Sequence, residues 1–208
     1  MLRFEGLSKS FGWRRVIHGA AGTLGPGAYA LQGANGSGKS TLLALLAGAI
    51  APDAGEVWID GLSLARDPVR ARQRLAYAPD QSPIYPFMTG YDLLDFVATA
   101  RACCVDDSVM DMVEEAGLTS HLPTRFSAMS LGTQKKFLLC AAWIGNTPVL
   151  LLDEPSNGLD LTARAVVERR IVERSATRLT LFASHDGAFI NACGASVVPL
   201  GELLSPAG

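Results

Sequence analysis

Gly33-Ala34-Asn35-Gly36-Ser37-Gly38-Lys39-Ser40-Thr41 lies between an apolar run at residues 28–31 and a helix-like apolar run at residues 42–50. Its spacing fits the pattern G-x-x-x-x-G-K-[ST], in which a strand leads into a phosphate-binding loop and the loop opens a helix. The two flanking runs supply the strand and the helix that this motif requires. The stretch therefore predicts a phosphate site at the start of a helix, rather than a glycine-rich turn without a ligand.

The chemistry of this loop follows from its backbone. The glycines let the chain curl so that successive N–H groups point at one anion, and the start of the helix adds a partial positive charge. Lys39 can bridge the outer phosphates of a nucleotide, and the Ser40 hydroxyl can ligate the Mg²⁺ that accompanies it. The predicted nucleotide-binding residues of the loop are Gly33, Asn35, Gly36, Ser37, Gly38, Lys39, Ser40 and Thr41.

The chain has 208 residues, which suits one α/β domain with a helical insertion, and we treat residues 1–208 as a single domain. Its formal net charge is -2 with scattered charges, so we expect no nucleic acid partner and no basic membrane-surface patch. The cysteines form no C-x-x-C pair, which favours reduced thiols in a cytoplasmic protein. Apolar runs are too short to cross a membrane, so a membrane role would require a partner.

The amino-terminal part predicts mainly strands. Residues 1–7 alternate as an edge strand, residues 8–15 form a polar loop with Phe11 and Trp13, and residues 16–31 supply further strands. Either aromatic ring could stack on an adenine. From this segment alone, a surface aromatic side chain without a ligand is the simpler interpretation.

The period of the apolar residues changes further along the chain. Residues 56–60 alternate as a half-buried strand in a small antiparallel excursion, and from residue 90 to about 146 the period becomes helical. We therefore predict an α/β fold. It has a P-loop NTPase core with a mostly parallel sheet, a small antiparallel β subdomain and an inserted helical subdomain at about 90–146.

A second chemical centre follows the continuous apolar run at residues 149–152, which is typical of a parallel strand buried on both faces. Asp153 and Glu154 end this run, and ligand groups gather at the carboxyl ends of parallel strands. With the phosphate loop on a neighbouring strand, Asp153 would hold Mg²⁺ through waters, and Glu154 would polarise a water for attack on the terminal phosphate. The alternative is an acidic first turn of a helix.

His185 is the third candidate at this edge. A further buried strand at residues 178–183 ends just before it, so His185 falls level with Asp153 and Glu154. A lone histidine is more often structural, but this one could donate to the terminal phosphate or orient the attacking water. The predicted catalytic residues are Glu154, His185 and Lys39.

Two further segments indicate a family. Met129-Ser130-Leu131-Gly132-Thr133-Gln134-Lys135-Lys136 stands shortly before Val149-Leu150-Leu151-Leu152-Asp153-Glu154-Pro155-Ser156-Asn157-Gly158-Leu159-Asp160. Together with the phosphate loop, they resemble the signature motif and the Walker B strand with its D-loop in the ATP-binding subunit of an ABC (ATP-binding cassette) transporter. The resemblance runs from Leu7 to about Leu200, and the combination of motifs is highly specific.

The resemblance implies that two such domains, in a homodimer or pseudo-dimer, face each other head to tail with ATP between them. Ser130 and Gly132 would then bind the ATP of the partner domain, since Ser130 predicts the N-cap of a helix whose start forms a second anion site. The resemblance also implies that Phe11 stacks on adenine, that Asp160 belongs to the subunit contact and that His185 is the switch-region histidine.

Two positions depart from the family pattern. Leu131 replaces the commonest glycine of the signature, in a variant similar to exporter ATPases for drugs, polysaccharides and peptides. Asp80 occupies the usual position of the Q-loop glutamine and Gln81 follows one residue late, as in haem-exporter ATPases. Asp80 and Gln81 therefore both stand as candidates for the metal site, beside Ser40 and Asp153.

The expected function is an ATPase with ATP and Mg²⁺ as cofactors, peripheral at the cytoplasmic face of the membrane, where it powers an integral membrane transporter subunit. The signature variant favours an exporter over an importer. One alternative is a soluble ABC-type ATPase acting on ribosomes or DNA, whose members carry tandem cassettes or long coiled coils. Another is a P-loop kinase, which should lack the signature segment and the acidic pair.

Overall fold

The computed structural model describes residues 1–80 and 84–204. The described strands form a four-stranded sheet in the order β2-β1-β4-β5 and a five-stranded sheet in the order β6-β7-β8-β3-β9. The strands are β1 (Leu2–Phe11), β2 (Arg14–Leu24), β3 (Gly27–Gln32), β4 (Ala54–Ile59), β5 (Leu62–Ser63), β6 (Leu75–Ala78), β7 (Val149–Asp153), β8 (Leu179–Ala183) and β9 (Ser196–Pro199).

Helices alternate with the strands of the five-stranded sheet and fill the interval between β6 and β7. They are α1 (Lys39–Leu46), α2 (Pro68–Gln73), α3 (Gly90–Ala100), α4 (Asp107–Glu115), α5 (Leu131–Trp143), α6 (Leu161–Ser175), α7 (Gly187–Ala192) and α8 (Leu200–Leu203), with 3-10 turns at Thr119–His121 and Phe126–Ala128. The predicted α/β class, with a parallel sheet, an antiparallel sheet and a helical insertion, is confirmed.

The five-stranded sheet is parallel, and its inner strands β7 and β8 are buried on both faces. All five residues of β7 are buried, and alternate side chains enter different cores. Val149 and Leu151 pack with α1 and the antiparallel sheet, whereas Leu150 and Leu152 pack with the helical region. This sharing between two cores explains why the strand is a continuous apolar run.

The order of the parallel strands corrects one prediction. β8 pairs with both β7 and β3, so the strand before the phosphate loop is not the neighbour of the strand that ends in Asp153. The apolar pattern of a buried strand carries no information on which strand lies beside it. The corrected strand order suits the predicted site. His185 follows β8 and therefore lies between the ends of β3 and β7.

The amino-terminal segment corrects two more predictions. β1 continues to Phe11, which pairs with Arg14 of β2, so residues 8–15 form a hairpin and not a polar loop. β1 also lies between β2 and β4 and is not an edge strand. The sequence pattern missed this part of the strand because its side chains are polar. The hydrogen bonds of the sheet come from the backbone, and the polar residues here occupy half-exposed positions.

The helical region confirms the predicted insertion. Thr89 caps α3 in a full capping box with Asp92, and Asp160 caps α6 by accepting from the Ala163 N–H at 2.9 Å. The short helices α2, α7 and α8 were not predicted, because six residues or fewer show no clear apolar period. Within the described residues, no helix has the length and apolar character that a membrane span requires. Cys103, Cys104, Cys140 and Cys193 form no disulfide in the structure.

Candidate functional site: a phosphate cradle at the carboxyl edge of the parallel sheet

Three strand ends converge at one edge of the parallel sheet. The loop after β3, Glu154 after β7 and the histidine after β8 surround a cavity of about 320 Å³. Its lining includes Phe11, Arg14, Asn35, Lys39, Glu154 and His185. The structure thus brings the predicted phosphate loop and the predicted catalytic groups into one site.

The phosphate loop has the backbone that an anion cradle requires. Gly36 and Gly38 adopt left-handed conformations with φ of 73° and 108°. A Cβ at Gly38 would also lie 2.9 Å from the side chain of Val16 on β2, so a larger residue would be both strained and too close. The Ser37 N–H closes the turn onto the Ala34 carbonyl at 3.1 Å.

Lys39 lies at the centre of the cradle. It is the first residue of α1, is only 6% exposed, and donates to the carbonyl oxygens of Gly33 at 2.8 Å and Ala34 at 3.2 Å. Its Nζ also lies 2.9 Å from Nε2 of His185. The ammonium therefore occupies the place where phosphate oxygens would be its natural partners, and a nucleotide would exchange the two carbonyl contacts for stronger charged ones.

Asp153 provides a buried carboxylate with spare bonding capacity. The residue is 5% exposed, and its Oδ1 is buried without a hydrogen-bond partner in the described part of the chain. Burial raises the pKa of Asp153, against a hydrogen bond from Ser40 that lowers it. An incompletely bonded carboxylate oxygen beside a serine hydroxyl is a suitable donor set for Mg²⁺, which prefers oxygen ligands. These two residues therefore fit the predicted metal.

Glu154 has an unusual backbone. Its φ is 46°, in the left-handed region, and its N–H donates to the carbonyl of Ala183 at 3.0 Å. Its Oε1 lies 3.3 Å from Nε2 of His185. Burial raises the pKa of Glu154, although the nearby His185 and Lys39 act to lower it. A carboxylate with raised proton affinity at this position suits a general base.

The residue that follows His185 is anchored at the start of α7. Asp186 caps α7 by accepting from the Phe189 N–H at 3.0 Å, and Arg164 of α6 binds the other carboxylate oxygen of Asp186 at 2.5 Å. Nε2 of His185 can accept from Lys39 in the tautomer that carries its proton on Nδ1, and it can donate to Glu154 when Nε2 itself carries a proton. The ring thus joins the phosphate loop to the acidic pair.

The signature residues lie at a different place. Ser130 caps α5, because its Oγ accepts from the Thr133 N–H at 3.1 Å, and this confirms the predicted N-cap. Gly132 lines a second cavity of about 410 Å³, and a Cβ there would lie 2.9 Å from the Gly158 carbonyl oxygen. Ser130 and Gly132 are therefore arranged together but are not brought to the phosphate loop of their own chain.

The structure describes only one of the two Q-loop candidates. Asp80 lines the second cavity, and its Oδ1 accepts from Lys135 Nζ of α5 at 2.5 Å, so its charge is already paired. Gln81 lies outside the described residues. Both assignments to the metal site stay predictions.

Phe11 ends β1, lines the first cavity and is 52% exposed, and Lys9 Nζ lies 5.8 Å from the centroid of its ring. Its stacking on adenine stays a prediction. Trp13, the other aromatic side chain of this segment, is 96% exposed at the tip of the hairpin.

Sequence reasoning missed two cations. Arg14 donates to the Gly36 carbonyl at 3.2 Å and lines the first cavity, and Lys135 contacts both Asp80 and the Glu154 carbonyl. Arg14 had a weak signal, since it follows closely after the aromatic side chain at position 11. For Lys135, the only indication in the sequence was its position within the signature segment.

A family profile described as "ABC transporter" matches residues 18–157. The chain belongs to the ABC transporter family. The matched range contains the phosphate loop, the signature residues and the acidic pair, so the predicted resemblance is confirmed.

Curated relatives of this ABC chain include ATP-binding proteins of export systems. It is 33% identical over 179 residues to Nod factor export ATP-binding protein I of Paraburkholderia xenovorans, with 82% of this chain and 57% of the relative covered. It is 25% identical over 190 residues to the linearmycin resistance ATP-binding protein LnrL of Bacillus subtilis, with coverage of 89% and 61%. The chain thus spans about three fifths of the length of these relatives.

Solved structures give the same fold. An ATP-binding subunit of an ABC transporter superposes with a TM-score of 0.85 at 26% identity, covering 96% of this chain and 85% of that one. A dimeric ATP-binding cassette bound to ADP and Pi superposes with a TM-score of 0.81 over 96% of this chain and 94% of that one. The second match is 18% identical and shows the fold alone.

Proposed function

We propose that this ABC chain is the ATP-binding and ATP-hydrolysing subunit of a membrane exporter and acts at the cytoplasmic face of the membrane. The convergence of Lys39, Glu154 and His185 around one cavity of about 320 Å³, with Asp153 hydrogen-bonded to Ser40 of its lining, carries the proposal. These groups supply a charge for the outer phosphates, a metal ligand, a base and an orienting imidazole.

Each residue has a separate task in hydrolysis. The phosphate-loop N–H groups and Lys39 bind the phosphates, and Phe11 stacks on the adenine ring. Ser40 and Asp153 would hold Mg²⁺, which when bound neutralises charge on the phosphates. Glu154 accepts the proton of the attacking water, and His185 orients that water or donates to the terminal phosphate.

The second nucleotide-binding domain completes the site. Ser130 and Gly132 lie at the start of α5, beside a cavity that is separate from the phosphate cradle of the same chain. A head-to-tail partner would present these groups to the terminal phosphate, so ATP would favour the dimer because ADP lacks the contacting phosphate. Binding energy from ATP would then drive the movement of an integral membrane subunit.

Export is proposed from the signature variant and from the relatives. Leu131 stands at the glycine position of the commonest signature, and the relatives include proteins described as Nod factor export and lantibiotic transport ATP-binding proteins. Those names describe the relatives, and an exporter partner for this chain is an inference from them.

Glu154→Gln tests the hydrolytic assignment. Losing the base should lower kcat by about 10²- to 10⁴-fold, while ATP binding is kept and an ATP-bound dimer accumulates. The assays are phosphate release, fluorescent-nucleotide binding and sedimentation. Glu173→Gln is the matched control, because Glu173 is 54% exposed in ion pairs on α6. Normal turnover by Glu154→Gln would remove Glu154 from the base role.

Purification of the tagged chain from detergent-solubilised membranes of its native cells tests the transporter assignment. An integral membrane protein in stoichiometric amount that raises the ATPase rate is the expected result. A chain that copurifies only with ribosomes or DNA proteins would overturn the transporter assignment and leave the ATPase assignment standing.

A further inference from the structure

We infer that Lys135 is a positioning residue for hydrolysis: its ammonium holds the main-chain carbonyl of Glu154, and Asp80 holds the ammonium in place. The inference rests on the proposed base role of Glu154. It gives Asp80, which stands at the usual position of the Q-loop glutamine, a task other than metal binding. In this arrangement the Lys135 side chain of α5 contacts residues that follow β6 and β7.

The contacts of Lys135 are short and buried. Its Nζ lies 2.5 Å from Oδ1 of Asp80 and 2.7 Å from the carbonyl oxygen of Glu154. The side chain is only 11% exposed. A lysine ammonium in such a place needs a counter-charge and hydrogen-bond acceptors, and these two residues provide both.

Glu154 needs support because its backbone is strained. A side chain with a Cβ is disfavoured at its φ of 46°, and such conformations persist only where the surroundings determine them. One restraint is the bond from the Glu154 N–H to the Ala183 carbonyl at the end of β8. The Lys135 contact restrains the other side of the residue, at its carbonyl, which also accepts from the Asn157 N–H at 3.1 Å. Together they fix the direction in which the Glu154 carboxylate leaves the strand.

Asp80 connects this restraint to the neighbouring strand. It lies two residues after β6, which pairs with β7 in parallel register through Ala78 and Leu152. The family's usual glutamine is neutral at this position, whereas an aspartate can pair with a cation. The Asp80 side chain is 39% exposed, so this end of the link is open to a partner that approaches the second cavity.

Lys135→Met tests the link, because it keeps much of the side-chain volume and removes the charge and the donors. We expect kcat for ATP hydrolysis to fall about 10- to 100-fold, while the affinity for ATP changes less than about threefold. Lys135→Arg, which keeps the charge and the donors, should recover part of the rate. Asp80→Asn should give a smaller loss, since the Glu154 carbonyl contact is kept.

A double-mutant cycle separates positioning from general structural support. If Lys135 acts through the Glu154 carboxylate, Lys135→Met should cost less than about threefold in the Glu154→Gln background. A loss of the same factor in both backgrounds would overturn the inference. So would an unchanged kcat in the single variant.

Arg170→Met is the matched control. Arg170 is a cation on α6 with a side chain 15% exposed, donating to the Ser108 carbonyl at 3.1 Å and facing a carboxylate of Glu115, away from the phosphate cradle. Arg170→Met should leave kcat unchanged even if the substitution lowers the unfolding temperature. Asp80→Asn changes a more exposed side chain, so it still tests the contact between Lys135 and Asp80 if Lys135→Met fails to fold. An unchanged kcat in Asp80→Asn would show that Asp80 has no part in positioning Glu154.

The inference and the proposed function fail in different ways. A wild-type chain without ATPase activity, alone or with its membrane partner, would overturn the proposed function. A wild-type chain that hydrolyses ATP, with an inactive Glu154→Gln variant and a fully active Lys135→Met variant, would overturn the positioning role alone.

Discussion

In the absence of nucleotide, Asp153→Asn should raise the free energy of unfolding, although it removes a residue that the proposed function needs. Asp153 is 5% exposed and its Oδ1 has no hydrogen-bond partner in the described part of the chain. The carboxylates of Asp80 and Glu154 lie close enough to oppose its charge, and the ammonium groups of Lys135 and Lys39 offset part of it. The fold therefore carries a buried negative charge that only a ligand would fully compensate.

The size of the effect follows from the cost of that charge. Leaving a buried polar group unsatisfied costs about 1–3 kcal/mol, and more if the group is charged. The Ser40 hydrogen bond and the charges of Lys135 and Lys39 offset part of this cost, and an asparagine amide also needs partners. A net gain of roughly 1 kcal/mol in the free energy of unfolding remains, which corresponds to a rise in Tm of about 2–4 °C for a chain of this length.

The gain should depend on pH in a defined direction. Burial raises the pKa of Asp153 in the folded state, so folding disfavours the ionised form. The advantage of asparagine should be complete at neutral pH and should shrink as the pH falls through that raised pKa. It should vanish below the unfolded value of about 3.9, where the aspartate is protonated in both states.

Thermal unfolding followed by circular dichroism between pH 3 and 8, without nucleotide, measures this gain. Asp92→Asn is the matched control with the opposite sign, because hydrogen bonds from the backbone and side chain of Thr89 lower the pKa of Asp92. A lower Tm for Asp153→Asn at pH 7 would refute the reasoning. With Mg-ATP at about 100 times its Kd, the wild type should gain roughly 2.7 kcal/mol, and the variant should lose most of that gain.

Two predictions concern the dimer and the base. Ser130→Arg should spare ATP binding by the single chain but prevent the ATP-dependent dimer, because a bulky cation replaces the hydroxyl that caps α5. Sedimentation of this variant in the Glu154→Gln background measures the dimer. An unchanged dimer would refute the arrangement in which ATP lies between two domains. The pH profile of kcat should rise through an acid limb above the usual glutamate value of about 4.3, because burial raises the pKa of Glu154. The limb should disappear in Glu154→Gln, and a limb at or below the usual value would contradict the assignment.

Features set by neighbouring residues could be predicted from the sequence. The sequence correctly places the phosphate loop, the helix cap at Ser130 and the buried strand at residues 149–152. Each depends on backbone geometry or hydrogen bonds within a few residues, so the sequence pattern carries the information. The candidate chemistry was predictable for the same reason, since the phosphate loop and the acidic pair are each contiguous.

Tertiary structure alone decided how these pieces meet. The insertion of β8 between β3 and β7, the strand conformation up to Phe11 and the pairing of Lys135 with Asp80 all join residues that are distant in sequence. Strand order and ladder pairing depend on backbone hydrogen bonds and on the packing of whole layers, which side-chain patterns do not encode position by position. The left-handed conformation of Glu154 likewise depends on restraints from β8 and α5, so its direction into the site is a property of the folded chain.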